Sequence, residues 1–168
     1  MTASYFAVFD GHGGDSCSNY LKKNLHVEIV KALLHPADPG RPPISESVDF
    51  EATLVDAIKE AFKATDLGYQ VLYPEVCKTC GSTAIVCLII GMDLICINLG
   101  DARAVLCREG RAIDLSVDYK ASRKDEQERI KSQGGYIVFG RVLGRLAVTR
   151  AFGDFECKQI SIMDEEKK

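Results

Sequence analysis

The run Tyr5-Phe6-Ala7-Val8-Phe9 passes without a spacer into Asp10-Gly11-His12-Gly13-Gly14. An aromatic and β-branched run cut off by glycines predicts a buried strand that ends in a tight turn. Such an ending sets a carboxylate, an unobstructed glycine carbonyl and an imidazole within one turn of chain. Hard divalent cations such as Mg²⁺ or Mn²⁺ take oxygen ligands, and an aspartate beside a glycine carbonyl supplies two of them. Spacing alone leaves Asp10 open between a metal ligand and a turn residue, with His12 on the surface in the second case.

The rest of the chain is read as a series of elements around that strand. Leu21, Leu25, Ile29 and Ala32 recur at helical spacing between Ser16 and Leu34, with Asp15 or Ser16 able to cap and Pro36 able to stop the helix. Prolines and glycine crowd residues His35 to Ser47, which predicts a surface loop. Leu54, Ala57, Ile58, Ala61, Phe62 and Leu67 predict a second helix beside the first, with Asp49 as its start and Gly68 as its stop. Ser82–Ile90, Asp93–Asn98 and Ala102–Arg108 are short β-rich runs separated by glycine turns, as in an antiparallel meander. A charged helix over Lys124–Gln133 and a hairpin from Tyr136 onward complete the pattern, and the charged tail from Ile160 is expected to fray. Strands and helices do not alternate strictly, so the order favours α+β with antiparallel sheet over a doubly wound parallel fold.

Composition excludes several classes of function. The 168 residues suit one domain, and 21 basic against 24 acidic residues give a net charge of −3, so no positive field draws in nucleic acid. The longest apolar stretch, Ala84–Ile90, is far short of the roughly 20 residues that cross a bilayer. Seven cysteines make an odd count, and several lie in or beside apolar runs, a usage that suits a reducing compartment. A protein of the cytoplasm, with the nucleus as a second compartment, is expected, without membrane or nucleic-acid partners and as a monomer.

Other motifs carry less. Asp101 in Asn98-Leu99-Gly100-Asp101-Ala102-Arg103 reads, on spacing alone, as a hairpin turn. Cys77-Lys78-Thr79-Cys80 has the gap of half a zinc site, but no second pair stands at the right distance, which favours two ordinary thiols. Gly11, Gly13 and Gly14 lack the lysine that a phosphate-cradling P-loop requires.

Several segments taken together are more specific than any one. Phe6-Ala7-Val8-Phe9-Asp10-Gly11-His12-Gly13-Gly14, Gly81-Ser82-Thr83-Ala84, Asn98–Arg103, Glu128-Arg129-Ile130 with Gly134-Gly135, and Leu146–Asp154 occur in an order and at intervals that resemble the metal-dependent serine/threonine phosphatases of the 2C type. The resemblance covers residues 1–158, the central part of that family's catalytic domain, and leaves 159–168 as a charged tail. It implies a four-layer α/β/β/α sandwich with two antiparallel sheets, truncated at both ends.

It also implies a chemistry. Asp10 and the Gly11 carbonyl match ligands of two Mn²⁺ or Mg²⁺ ions, Asp101 matches a ligand of a weaker third, and His12 matches the proton donor to the departing oxygen. A water between the metals then attacks the phosphorus of phosphoserine or phosphothreonine in a protein substrate, with no covalent phosphoenzyme. The Gly81–Thr83 and Gly144–Asp154 segments match parts read as structural. The family's upstream phosphate-gripping arginine and acidic pair, and its downstream aspartates, have no counterpart among these residues. A catalytically inactive phosphatase-like module that binds protein partners is therefore the rival reading.

Overall fold

The computed structural model describes residues 3–35, 40–41, 43–44 and 47–158. Its elements are β1 (Ala3–Val8), β2 (Gly11–His12), α1 (Ser16–Leu34), α2 (Phe50–Leu72), β3 (Gly81–Ser82), β4 (Ala84–Ile90) and β5 (Asp93–Leu99), followed by β6 (Val105–Arg108), β7 (Arg111–Asp114), α3 (Lys124–Ser132), β8 (Ile137–Val138), β9 (Arg141–Val142), β10 (Phe152–Gly153) and α4 (Phe155–Lys158). Every strand pairing is antiparallel, and the mixture of helix and sheet is the α+β class expected. Of the proline-rich loop, Pro36, Pro39 and Pro42 lie outside the described residues, as does the tail 159–168.

The core forms where α1 and α2 lie on one face of the sheet β1-β4-β5. Leu21, Leu25 and Ile29 of α1 meet Leu54, Ala57 and Ala61 of α2 above Ala84, Val86 and Leu88 of the central strand. The helical periodicity predicted both helices because each buries a single stripe. Asp49 caps α2 as expected, accepting from the Ala52 amide at 3.0 Å. Asp15 stands at the N-cap of α1, but its carboxylate binds the Asn19 side chain at 3.1 Å and caps no backbone N–H.

Several expectations need correction. β1 is half buried: Tyr5, Ala7 and Phe9 pack on the core, whereas Phe6 and Val8 are exposed, because β1 is an edge strand with only one covered face. Gly68 does not stop α2, which runs on to Leu72. A side chain at 68 would collide with the Tyr20 hydroxyl of α1, so this glycine makes room for the tip of that ring between the helices. Leu67 is exposed, and Thr65 and Tyr69 fill the buried stripe instead. β6 does not extend the meander; it leaves β5 and pairs with β7 as a separate ribbon, turning through Glu109 and Gly110 at φ 53° and 74°.

α3 is fixed by one buried carboxylate. Glu126, 2% exposed, accepts from Arg129 at 3.2 and 2.7 Å and from Arg150 at 3.0 and 2.7 Å. Arg129 also donates to the Thr149 carbonyl at 2.9 Å, which ties α3 to the segment entering β10. Burial alone would raise the Glu126 pKa, but the two guanidinium forks outweigh it and hold the carboxyl at about 2.

That value lies below the one an unfolded glutamate has, so the cluster stabilises the fold above about pH 4.3, and the contribution fades as pH falls toward 2. Glu126→Gln should cost on the order of 3 kcal/mol at pH 7, where it leaves two guanidinium groups short of their counter-charge. Urea unfolding of both proteins from pH 7 to pH 3 should show the gap narrowing with acid; a gap that stays constant would contradict the assignment.

Candidate active site

Three short backbone segments assemble the site. β2 and β10 pair with opposite edges of β3, so that His12 and Gly153 both stand opposite Gly81. The Thr83 amide donates to the Asp10 carbonyl at 3.0 Å, which locks the end of β1 against the start of β4. Asp66 of α2 fixes the far side, accepting from the Gly153 amide at 2.8 Å and from Lys158 at 2.6 Å. Phe152 packs against Phe62 of α2 with ring centroids 5.1 Å apart.

Asp154 follows Gly153 and is buried, with φ 50°, and its amide donates to the Cys80 carbonyl at 3.2 Å. Its carboxylate passes over Gly81 and meets His12 Nε2 at 2.6 Å. A Cβ at Gly81 would fall onto that carboxylate and onto the Phe152 carbonyl, so only glycine leaves the passage open. The hydrogen bond to Asp154 raises the His12 pKa above its ordinary value; burial opposes it, and the charges of Asp154, Asp10 and Asp101 add to it. Nδ1 of His12 has no hydrogen-bond partner among the described residues.

A cleft of about 330 Å³ opens beside this imidazole. Asp10, Gly11, His12 and Asp101 all line it, so the four residues singled out in the sequence come together. Asp10 is exposed, and no cation or hydrogen-bond donor among the described residues engages its carboxylate. Asp101 follows β5, half buried, with Lys120 at 3.4 Å; that lysine is shared with Asp118, also at 3.4 Å. Thr83, Arg141 and Arg145 line the cleft as well, and linear order did not single them out. Asp154 was read as structural. The signal that could have found it is the glycine at 81, required by a carboxylate far away in sequence.

The donors suit a hard divalent ion in kind: two carboxylates and one glycine carbonyl, all oxygen. They fall short in number, since no group of three or more His, Cys, Asp or Glu side chains among the described residues converges as a metal site would. A shell for one ion can begin here; a two-ion shell needs further carboxylates.

The family model described as "Protein phosphatase 2C" matches residues 1–165. The chain belongs to the protein phosphatase 2C family. "Probable protein phosphatase 2C 11" of Arabidopsis thaliana is 41% identical over 166 residues, which cover 97% of this chain and 41% of that protein. "Protein phosphatase 1K, mitochondrial" of Xenopus laevis is 35% identical over 167 residues, covering 96% of this chain and 42% of that one. Among solved structures, that of a C. elegans sex determining protein superimposes with a TM-score of 0.74 at 26% identity, over 95% of this chain and 38% of the other. A phosphatase from Toxoplasma gondii, at 24% identity and a TM-score of 0.68 over 90% of this chain and 57% of that one, shares the fold. The chain thus spans between 31% and 52% of the length of these plant 2C phosphatases. The α/β sandwich of this metal-dependent family is the fold expected from the sequence, and the helix pair with sheet β1-β4-β5 forms part of it.

Gly81→Ala provides a test of the geometry. The added methyl should displace the Asp154 carboxylate from His12 and cost about 3 kcal/mol of stability by overpacking. A chemically induced unfolding curve that coincides with the unaltered protein would show that the passage over Gly81 is not tight.

Proposed function

We propose that this chain carries the catalytic centre of a protein serine/threonine phosphatase that hydrolyses phosphoserine or phosphothreonine with Mn²⁺ or Mg²⁺. The observation that carries the proposal is the unpaired Asp10 carboxylate, held at a strand end in the same cleft as Asp101 and His12. An unpaired carboxylate that shares a cleft with a second carboxylate and a glycine carbonyl offers a divalent cation oxygen ligands from more than one segment.

Asp10 and the Gly11 carbonyl would hold the ion, with Asp101 of the same cleft left to a weaker, additional one. Bound there, it would supply charge neutralisation at the phosphoryl oxygens and a lowered pKa for water. His12 donates a proton to the departing seryl or threonyl oxygen, a task suited to an imidazole whose protonated form is favoured by a neighbouring carboxylate. Asp154 positions that imidazole and keeps Nε2 engaged, leaving the Nδ1 edge for the substrate side. Thr83 forms part of the cleft wall beside them. The second ion, and the weaker third at Asp101, call for additional carboxylates of the kind the family's flanking segments carry.

Hydrolysis of a phosphoserine peptide decides the matter, measured with Mn²⁺ for these 168 residues and for a form extended to the length of the relatives. The extended form should turn over, His12→Ala should lower its kcat roughly 100-fold or more, and Asp10→Asn should abolish the stimulation by Mn²⁺. Activity that is indifferent to both substitutions would remove these roles. An extended form without any Mn²⁺-dependent hydrolysis would favour the inactive, partner-binding module.

A further inference from the structure

The backbone of Asp154 lies in the left-handed region, at φ 50°, directly after Gly153 at φ 71°. A residue with a side chain stays there only where its surroundings over-determine it. One carboxylate on another element supplies that constraint from both sides. Asp66 Oδ1 accepts from the Gly153 amide at 2.8 Å, just before Asp154, and Asp66 Oδ2 accepts from Lys158 Nζ at 2.6 Å, at the end of the short helix that Asp154 begins. The Asp154 carbonyl opens that helix by accepting from the Cys157 amide at 2.8 Å, and the Lys158 ammonium rests 4.7 Å from the centre of the Phe155 ring. The turn that carries Asp154 is therefore gripped at its entry and at its exit by the same side chain.

Asp66 is itself a fixed point. Its neighbours on α2, Thr65 and Tyr69, are fully buried, and the Thr65 hydroxyl donates to the Ala61 carbonyl at 2.7 Å. The far end of the chain of contacts is narrow: the Asp154 carboxylate reaches His12 Nε2 at 2.6 Å over Gly81, where even a Cβ has no room. Hydrogen bonds weaken steeply with misalignment, so a small rotation at residue 154 takes this carboxylate off the imidazole. The Asp154 amide keeps its own hold on the Cys80 carbonyl, and β10 stays paired with β3 through Phe152 and Gly153. Loss of Asp66 should thus shift the turn and leave the sheet in place.

We propose that Asp66 is a positioning residue for the proton donor: by clamping the turn at Gly153 and Lys158 it holds the Asp154 carboxylate against His12 Nε2. A carboxylate at that nitrogen keeps the neutral imidazole in its Nε2–H tautomer, and the second proton of the imidazolium then sits on Nδ1. Asp66 acts on the reaction only through Asp154 and His12, and its effect on turnover rests on the reading of His12 as the proton donor. Its effect on the tautomer does not.

Long-range ¹H–¹⁵N NMR of the labelled 168-residue chain, with the imidazole neutral, reads the tautomer of His12. The unaltered chain should show the Nε2–H form. Asp66→Asn, whose amide oxygen still accepts from Gly153, should keep it, and Asp66→Ala should give an averaged mixture of both tautomers. Ile29→Val, a change in the buried stripe of α1, should leave the Nε2–H form intact, as a merely structural role of Asp66 would not explain. If the alanine variant does not fold, Lys158→Met at an exposed position removes one of the two grips and should move the same signal part-way. A pure Nε2–H form in Asp66→Ala, or in Lys158→Met in its place, would overturn the proposal. In the form extended to the length of the relatives, Asp66→Ala should lower kcat for a phosphoserine peptide by up to about 100-fold with KM unchanged, and an unaltered kcat would overturn the catalytic part. An extended form inactive in every version would instead remove His12 as proton donor, with the tautomer result still deciding what Asp66 holds.

Discussion

The contact between Asp154 and His12 across Gly81 is the constraint around which the site is organised. It joins residues 142 positions apart, and it exists only because β2, β3 and β10 run side by side with a glycine at the crossing. Those three strands are too short to hold together by their own ladder hydrogen bonds. They are held instead by larger bodies: α2 through Asp66 and Phe62, α3 through Glu126 and its arginines, and β1 through its pairing with β4. The helix–sheet core thus acts as a clamp for a small polar assembly at its end.

The carboxylates divide into two groups according to what engages them. Asp66, Asp118, Glu126 and Asp154 each meet an arginine, a lysine, a histidine or a backbone amide at close range, and each joins elements distant in sequence. Asp10 meets none among the described residues, and Asp101 only a shared lysine at 3.4 Å. Within the cleft, folding thus leaves Asp10 without a protein cation and Asp101 with a shared one. Arg141 and Arg145 line the same cleft without engaging Asp10, so that carboxylate stays open to a divalent cation.

How far the sequence revealed this depends on the distance over which each signal acts. Helix α1 was legible to its ends because its buried residues follow one stripe and a proline stands beyond it. Gly68 misled because a glycine in a helical pattern can mark either an end or a close approach, and only Tyr20 on the neighbouring helix decides between them. The β5–β6 break was hidden because both runs are β-rich and partner choice is not local. Asp10, Gly11 and His12 were visible as a cluster since one turn contains them, and Asp101 gained weight from the family resemblance. Asp154 was missed because its role depends on a partner at the opposite end of the chain.

Paramagnetic broadening by Mn²⁺ in the NMR spectrum of the isotopically labelled chain tests the central claim most directly, since it needs no turnover. Substoichiometric Mn²⁺ should first erase the amide signals of Gly11, His12, Gly100 and Asp101, leave the α1 residues around Ile29 sharp, and lose this selectivity in Asp10→Asn. Broadening centred on another acidic group, or the same local pattern with Asp10 replaced, would contradict the account.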